Sequence, residues 1–138
     1  MSKTTNSVQV DWTEGFRFRV ESVSGVRAVI DGDKEEGLSP METLLASLAT
    51  CMGADVVSIL QKMRTDLRAL TIGVIGERNP EPPRYYRRID LTFSVVGDVP
   101  LDKVEKAIDL SREKYCSVFH SLHQNLTVGH KVSVRRPG

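Results

Sequence analysis

The chain has 138 residues, an ordinary length for one domain, so we expect a single domain over residues 1–138. Its 19 basic and 18 acidic residues nearly cancel, which argues against nucleic acid or an anionic membrane as a partner. Met1–Ser7 lacks the apolar core of a secretory signal, and we expect no apolar run to reach the ~20 residues of a membrane span, so we predict a cytoplasmic protein.

Strands are predicted in the first third of the chain. From Val8 to Asp31, apolar residues recur at every second position in three runs, the period of strands with one buried face. Thr13-Glu14-Gly15 and Ser24-Gly25 separate the runs. The pattern predicts a three-stranded antiparallel meander, followed by a charged loop at Gly32–Gly37.

A long apolar helix is predicted to begin at Pro40. Ser39 is a suitable N-cap, Pro40 suits the first helical position, and Glu42 can complete a capping box with Ser39. The residues that follow are apolar around most of the helix, with few charges before Gln61. Because a small domain cannot cover such a helix on all sides, we expect an extensive dimer interface.

Five elements are predicted in the second half of the chain. The alternating segments Leu70–Gly76 and Ile89–Val96 indicate a long hairpin. Leu101–Tyr115 has the pattern of an amphipathic helix, Cys116–Leu122 of a short helix, and Val128–Val134 of a last strand. The sequence therefore predicts an α+β fold with about six strands.

The two cysteines are the first candidates for chemistry, because a free thiol in a reducing compartment is either an inert core residue or a reactive group. Cys51 lies in the middle of the long helix, on a strip shared with the polar residues Ser47, Asp55 and Ser58. A strip of this kind indicates contact with a partner, water or a cavity, although a free cysteine is also a common core residue.

Cys116 is predicted to lie at the start of the short helix. The free N–H groups at a helix N-terminus lower the pKa of a thiol, which favours a reactive thiolate there. Asp55 lies one turn after Cys51 and could accept a proton, but its negative charge would raise the pKa of a nearby thiol. A compensating cation is then needed for fast reaction at Cys51. Sequence alone does not bring the two thiols together.

Two other features have simpler explanations. Cys116 and His120 have the spacing of two metal ligands on one helix face, but four ligands cannot be counted in the chain, so His120 and His123 are interpreted as solvated side chains. We expect no metal and no cofactor. Arg84–Arg88, which contains two tyrosines, is interpreted as the rim of the hairpin rather than a nucleic-acid site.

Two cysteine motifs resemble those of the OsmC/Ohr family. Leu38–Cys51 (LSPMETLLASLATC) is followed by Asp55-Val56, and Lys114–Val118 (KYCSV) holds the second cysteine, 65 residues after the first. The order of elements over the whole chain is also similar. Members of the family are intertwined homodimers in which strands of both chains wrap central cysteine-bearing helices. The resemblance therefore implies a fold of that kind.

The resemblance also implies a function. Characterised members reduce organic hydroperoxides or hydrogen peroxide in oxidative-stress defence. By this resemblance Cys51 is the attacking thiolate, which becomes a sulfenic acid, and Cys116 is the resolving thiol. A dithiol partner, either a lipoylated protein or a small thiol, would then reduce the disulfide. No cofactor is implied.

The match is incomplete around the first cysteine. In the peroxidase branches a glutamate directly follows the proline and holds an arginine from the loop after the first strand. Here Met41 follows Pro40, and that loop, Thr13-Glu14-Gly15, has no arginine. The chain thus looks more like the OsmC-like branch than the organic hydroperoxide resistance branch proper.

This departure leaves the supporting residues and one alternative function open. The supporting candidates are Glu42, Asp55, Arg17, Arg19 and Arg27. The alternative is a dimer without peroxidase activity that binds a small apolar or acyl ligand at the subunit interface.

Overall fold

A computed structural model describes residues 4–138, so Met1–Lys3 of the N-terminal segment considered above lie outside the described residues. The chain divides into two compact units, Met1–Leu44 and Leu45–Gly138, and each contains one three-stranded sheet. The six strands and the helices confirm the predicted α+β class. The single domain over residues 1–138 stays a prediction.

The first unit contains the predicted meander. Strands β1 (Val8–Glu14), β2 (Arg17–Ser22) and β3 (Arg27–Asp31) pair antiparallel in that order. Gly15 turns the chain between β1 and β2 with a positive φ of 53°, a conformation that glycine adopts without steric cost. The strands end where the charged loop was predicted.

Helix α1 (Pro40–Lys62) begins where the sequence predicted. The N–H of Glu42 donates to Ser39 Oγ at 3.1 Å, and the N–H of Ser39 donates to Glu42 Oε1 at 2.9 Å. These two bonds are the predicted capping box, and they satisfy N–H groups that the first turn would otherwise leave free.

The expectation that no apolar segment is long enough for a membrane span was wrong. By length and composition alone, α1 would suffice to cross a membrane. The core helix of a soluble protein passes the same test, and α1 supplies core residues to the second unit. Those residues are Leu48, Ala49, Met52, Gly53, Val56 and Leu60.

The second unit is built on a hairpin and a crossover. Strands β4 (Asp66–Arg78) and β5 (Tyr86–Asp98) are antiparallel, and β6 (Thr127–Arg135) pairs parallel to β5. The hairpin was predicted, but both strands are longer than predicted, because their charged ends still pair across the hairpin, as Arg87 does with Glu77.

The core of the second unit lies between this sheet and the helices. Strand β5 buries every second side chain, and α2 (Leu101–Leu110) covers them with its apolar stripe. The β5 residues are Ile89, Leu91, Phe93 and Val95, and the α2 residues are Val104, Ala107 and Ile108. Gly53 allows α1 to approach the sheet closely, since a β-carbon there would lie 2.8 Å from Ile72 Cδ1.

The segment between α2 and the last strand differs from its prediction. The predicted helix Leu101–Tyr115 changes at Ser111 from α to a π-helical turn, Ser111–Tyr115. The turn is closed by the N–H of Cys116, which donates to the Ser111 carbonyl at 2.8 Å. Helix α3 is Ser117–Ser121, shorter than predicted, because Cys116 has an extended backbone and is the N-cap.

Candidate active site

The structure brings the two cysteines together. Cys51 lies in the middle of α1. Cys116 lies at the junction of the π-helical turn and α3. Their side chains lie close enough for Cys51 to act on the pKa of Cys116, and both are free thiols. Cys51 is partly exposed, whereas Cys116 is completely buried. One thiol therefore meets solvent and the other lies behind it.

The surroundings of Cys116 keep it protonated. Burial raises the pKa of the Cys116 thiol to about 11, although the N–H of Phe119 donates to its Sγ at 3.3 Å and acts in the opposite direction. The neighbouring Cys51 and Asp55 raise it further. The helix N-terminus does lower the pKa, as predicted, but the expected net lowering was wrong, because one N–H group offsets only part of the cost of placing a charge in the core.

A protonated Cys116 can act as a hydrogen-bond donor. At neutral pH its S–H group is available to the neighbouring sulfur of Cys51.

Asp55 is held beside the thiols by a residue that the sequence analysis missed. Ser111 is completely buried, and its hydroxyl donates to Asp55 Oδ2 at 2.8 Å. The same residue accepts the N–H of Cys116 through its carbonyl. Ser111 thus connects the carboxylate on α1 to the backbone of the buried cysteine.

A sequence signal for Ser111 exists. The apolar stripe of α2 runs through Val104, Ala107 and Ile108, and the next position on that stripe is Ser111. A serine on a buried helix face needs a hydrogen-bond partner in the core, which points to a polar residue on another element.

Arg112 is the cationic residue that follows Ser111. Its Nη1 donates to the Val128 carbonyl at 2.7 Å, and its guanidinium lies 5.3 Å from the centre of the Phe119 ring. Because Phe119 donates its N–H to Cys116, these contacts fix the turn that surrounds the buried thiol.

The three candidate arginines are engaged with carboxylates of the first unit. Arg17 pairs with buried Asp31 at 3.4 Å and with three glutamates, Glu14, Glu35 and Glu36. Arg19 lies 3.8 Å from Asp11, and Arg27 lies 3.4 Å from Glu21. That any of these arginines supports the reaction of Cys51 stays a prediction.

Glu42 is accounted for by its local contacts. It forms the capping box with Ser39 and lies 4.0 Å from Lys34. The N–H of Ser39 holds the pKa of Glu42 below its usual value. The interpretation of Glu42 as a cap is confirmed, and a catalytic role for it stays a prediction.

A groove of about 820 Å³ runs along the exposed side of α1 and the beginning of β4. Small and apolar side chains of α1 line one wall, and residues of β4 line the other. The α1 residues include Ala49, Gly53, Ala54 and Val57, and the β4 residues include Leu67, Leu70 and Ile72.

The histidines near Cys116 have other contacts. The His120 ring meets Phe119 edge to face, and His123 Nδ1 accepts the N–H of Asn125. Within residues 4–138, no three His, Cys, Asp or Glu side chains are grouped so that they could hold a metal ion.

Comparison with known proteins shows the family of this chain. The family pattern described as "OsmC-like protein" matches residues 32–131. The chain belongs to the OsmC-like protein family. Protein YhfA of Escherichia coli (strain K12) is 41% identical over 128 residues, which cover 91% of this chain and 96% of YhfA.

Solved structures extend the comparison to the fold. A crystal structure of a hypothetical protein from Aquifex aeolicus VF5 is 32% identical, with a TM-score of 0.83 over 95% of this chain and 98% of that chain. An organic hydroperoxide resistance protein OsmC from Legionella pneumophila has a TM-score of 0.72 at 15% identity, over 97% of this chain and 100% of that chain. The second likeness shows the fold alone. Together they confirm the predicted OsmC-like α+β fold.

Proposed function

We propose that this OsmC-like protein is a thiol-dependent peroxidase that reduces organic hydroperoxides or hydrogen peroxide. The observation that carries the proposal is the pair of free thiols in contact, with Cys51 partly exposed and Cys116 buried. In this proposal a peroxide reaches Cys51 from solvent, and Cys116 closes a disulfide with it. Membership of a family that includes organic hydroperoxide resistance proteins supports the proposal.

The first step oxidises Cys51. Its thiolate attacks the outer oxygen of the hydroperoxide, the O–O bond breaks, and the alkoxide takes a proton and leaves as an alcohol or water. Cys51 then carries a sulfenic acid.

The second step uses Cys116. Its sulfur attacks the sulfur of the Cys51 sulfenic acid, an S–S bond forms, the S–O bond breaks, and water leaves. A dithiol then reduces the disulfide through a mixed disulfide and is itself oxidised. We propose a lipoylated protein or a small thiol as this partner, and the cytoplasm, which is reducing, as the compartment.

We also propose that the protein works as a homodimer. In the first unit, Val10, Trp12 and Phe18 share one exposed face of the sheet, and Trp12 is 67% exposed. In the second unit, the groove along α1 leaves small and apolar side chains uncovered. A second copy would cover such surfaces, which monomeric proteins rarely expose over large areas.

Peroxide consumption tests the function. Reduced protein is mixed with cumene hydroperoxide or hydrogen peroxide and a dithiol, and the wild type is compared with Cys51→Ser and Cys116→Ser. We expect Cys51→Ser to lose consumption and Cys116→Ser to retain the first oxidation but not the disulfide. Consumption no faster than by the dithiol alone would refute the proposal and favour the binding of a small apolar or acyl ligand.

A further inference from the structure

We propose that Asp55, positioned by Ser111, relays a proton from the Cys116 thiol to the hydroxide that leaves Cys51 when the disulfide forms. The inference rests on the proposed function and assigns a base to its second step. Asp55 is the catalytic residue in this step, and Ser111 is a positioning residue.

The geometry around Asp55 supports the relay. Asp55 lies one helical turn after Cys51, so that the carboxylate and the sulfur share one face of α1. The Ser111 hydroxyl donates to Oδ2 at 2.8 Å, which fixes the carboxylate and leaves Oδ1 to accept a proton. The Ser111 carbonyl accepts the Cys116 N–H at 2.8 Å, so one residue fixes both the base and the thiol.

The chemistry of the second step needs such a group. Cys116 is a buried neutral thiol and must lose its proton as its sulfur attacks, while the departing hydroxide must gain one. In the relay Oδ1 takes the proton from Cys116, the S–S bond forms, the S–O bond breaks, and the proton passes to the hydroxide to give water. Asp55 ends the step as a carboxylate, so protons and electrons balance.

Among the described residues, few charged groups act on Cys116. From α1 they are Cys51 and Asp55, both of which act on its pKa. From the π-helical turn Arg112 reaches the same region, but its guanidinium donates to the Val128 carbonyl and lies over Phe119. Within residues 4–138 Asp55 is therefore the carboxylate that acts on the buried thiol, and Ser111 connects the two.

A simple electrostatic role for Asp55 predicts the opposite effect of its removal. The negative charge of Asp55 raises the pKa of Cys116. If charge alone mattered, Asp55→Asn would ease ionisation of Cys116 and speed disulfide formation. If Asp55 relays the proton, the same substitution slows that step, by about 10²-fold for the loss of a general base. The sign of the change separates the two roles.

Single-turnover kinetics measure the two steps in one protein. Reduced protein is mixed with one equivalent of cumene hydroperoxide and quenched at intervals with dimedone, and mass spectrometry counts Cys51 sulfenic acid and the Cys51–Cys116 disulfide. The variants are Asp55→Asn and Ser111→Ala, and Asp109→Asn removes an exposed carboxylate from α2 as the matched control.

We expect Asp55→Asn to accumulate sulfenic acid and form the disulfide about 10²-fold more slowly, without slowing the oxidation of Cys51. Ser111→Ala should show the same defect to a smaller degree, and Asp109→Asn should match the wild type. In Asp55→Asn the second step should also accelerate with pH, because only the Cys116 thiolate can then attack. In the wild type this step should change little over the same range.

The outcomes distinguish the inference from the proposed function. If wild-type Cys51 is not oxidised by the peroxide, the proposed function fails and the relay fails with it. If the wild type forms the disulfide and Asp55→Asn forms it as fast or faster, the relay alone is refuted. Slowing of both steps in Asp55→Asn would indicate a structural role and would also refute it.

Discussion

The burial of Cys116 predicts that the stability of the protein depends on pH in the alkaline range. The pKa of its thiol is raised from 9.0 to about 11. Between these values the unfolded chain loses the proton that the folded protein keeps. The unfolded state therefore binds fewer protons, and the free energy of unfolding falls as pH rises. The contribution is fully present below about pH 9 and lost by about pH 11.

The size of this effect follows from the shift in pKa. Raising the pKa from 9.0 to about 11 corresponds to about 3 kcal/mol in total, of which about half is lost by about pH 10. Cys116→Ser is the matched variant. A serine hydroxyl can still accept the N–H of Phe119 as an N-cap, but it does not ionise in this range.

Urea denaturation of both proteins measures the effect, with a reductant present and one protein concentration throughout. We expect the wild type to lose about 1 kcal/mol more than Cys116→Ser between about pH 8 and about pH 10. Parallel stability curves for the two proteins would show that Cys116 ionises as readily when folded as when unfolded. That result would refute the description of Cys116 as a buried neutral thiol.

Three further predictions concern the stability of the fold. Ser39→Ala removes the N-cap of α1 and should cost about 1 kcal/mol in urea denaturation, and an unchanged midpoint would contradict the capping box. Gly97→Ala should lower the free energy of unfolding by more than about 2 kcal/mol, because Gly97 has a φ of 147° and a β-carbon there would meet the carbonyl of Asp66. A fully stable variant would contradict this close approach of Gly97 to Asp66. The N–H of Asp33 lowers the pKa of Asp31, so the wild type should lose stability as pH falls below about 4. Asp31→Asn should lose less stability over that range. Equal losses in the two proteins would count against the role of Asp31.

Local features of the fold were predictable from the sequence. The start of α1 follows from Ser39, Pro40 and Glu42, which act within one turn of each other. The meander and the long hairpin follow from alternation along each strand, which depends on neighbouring residues only. These elements were therefore predicted close to their observed bounds, apart from the charged ends of the hairpin strands.

The site depended on contacts between distant segments, which residue patterns do not specify. The contact of Cys51 with Cys116 and the bond of Asp55 to Ser111 each join α1 to a segment more than 50 residues away. The pKa of Cys116 was predicted in the wrong direction for the same reason. Its position before a helix can be read locally, but its burial comes from packing of the whole unit.

The central claim is that Cys51 and Cys116 form a redox pair, and peptide mapping after a single oxidation tests it most directly. The reduced protein is treated with one equivalent of cumene hydroperoxide, alkylated, digested and examined by mass spectrometry. We predict one new cross-linked peptide pair, Cys51 with Cys116, and the loss of two free thiols per chain. The Cys51→Ser variant should form no such cross-link. Both thiols alkylated as fully after peroxide as before it would contradict the claim.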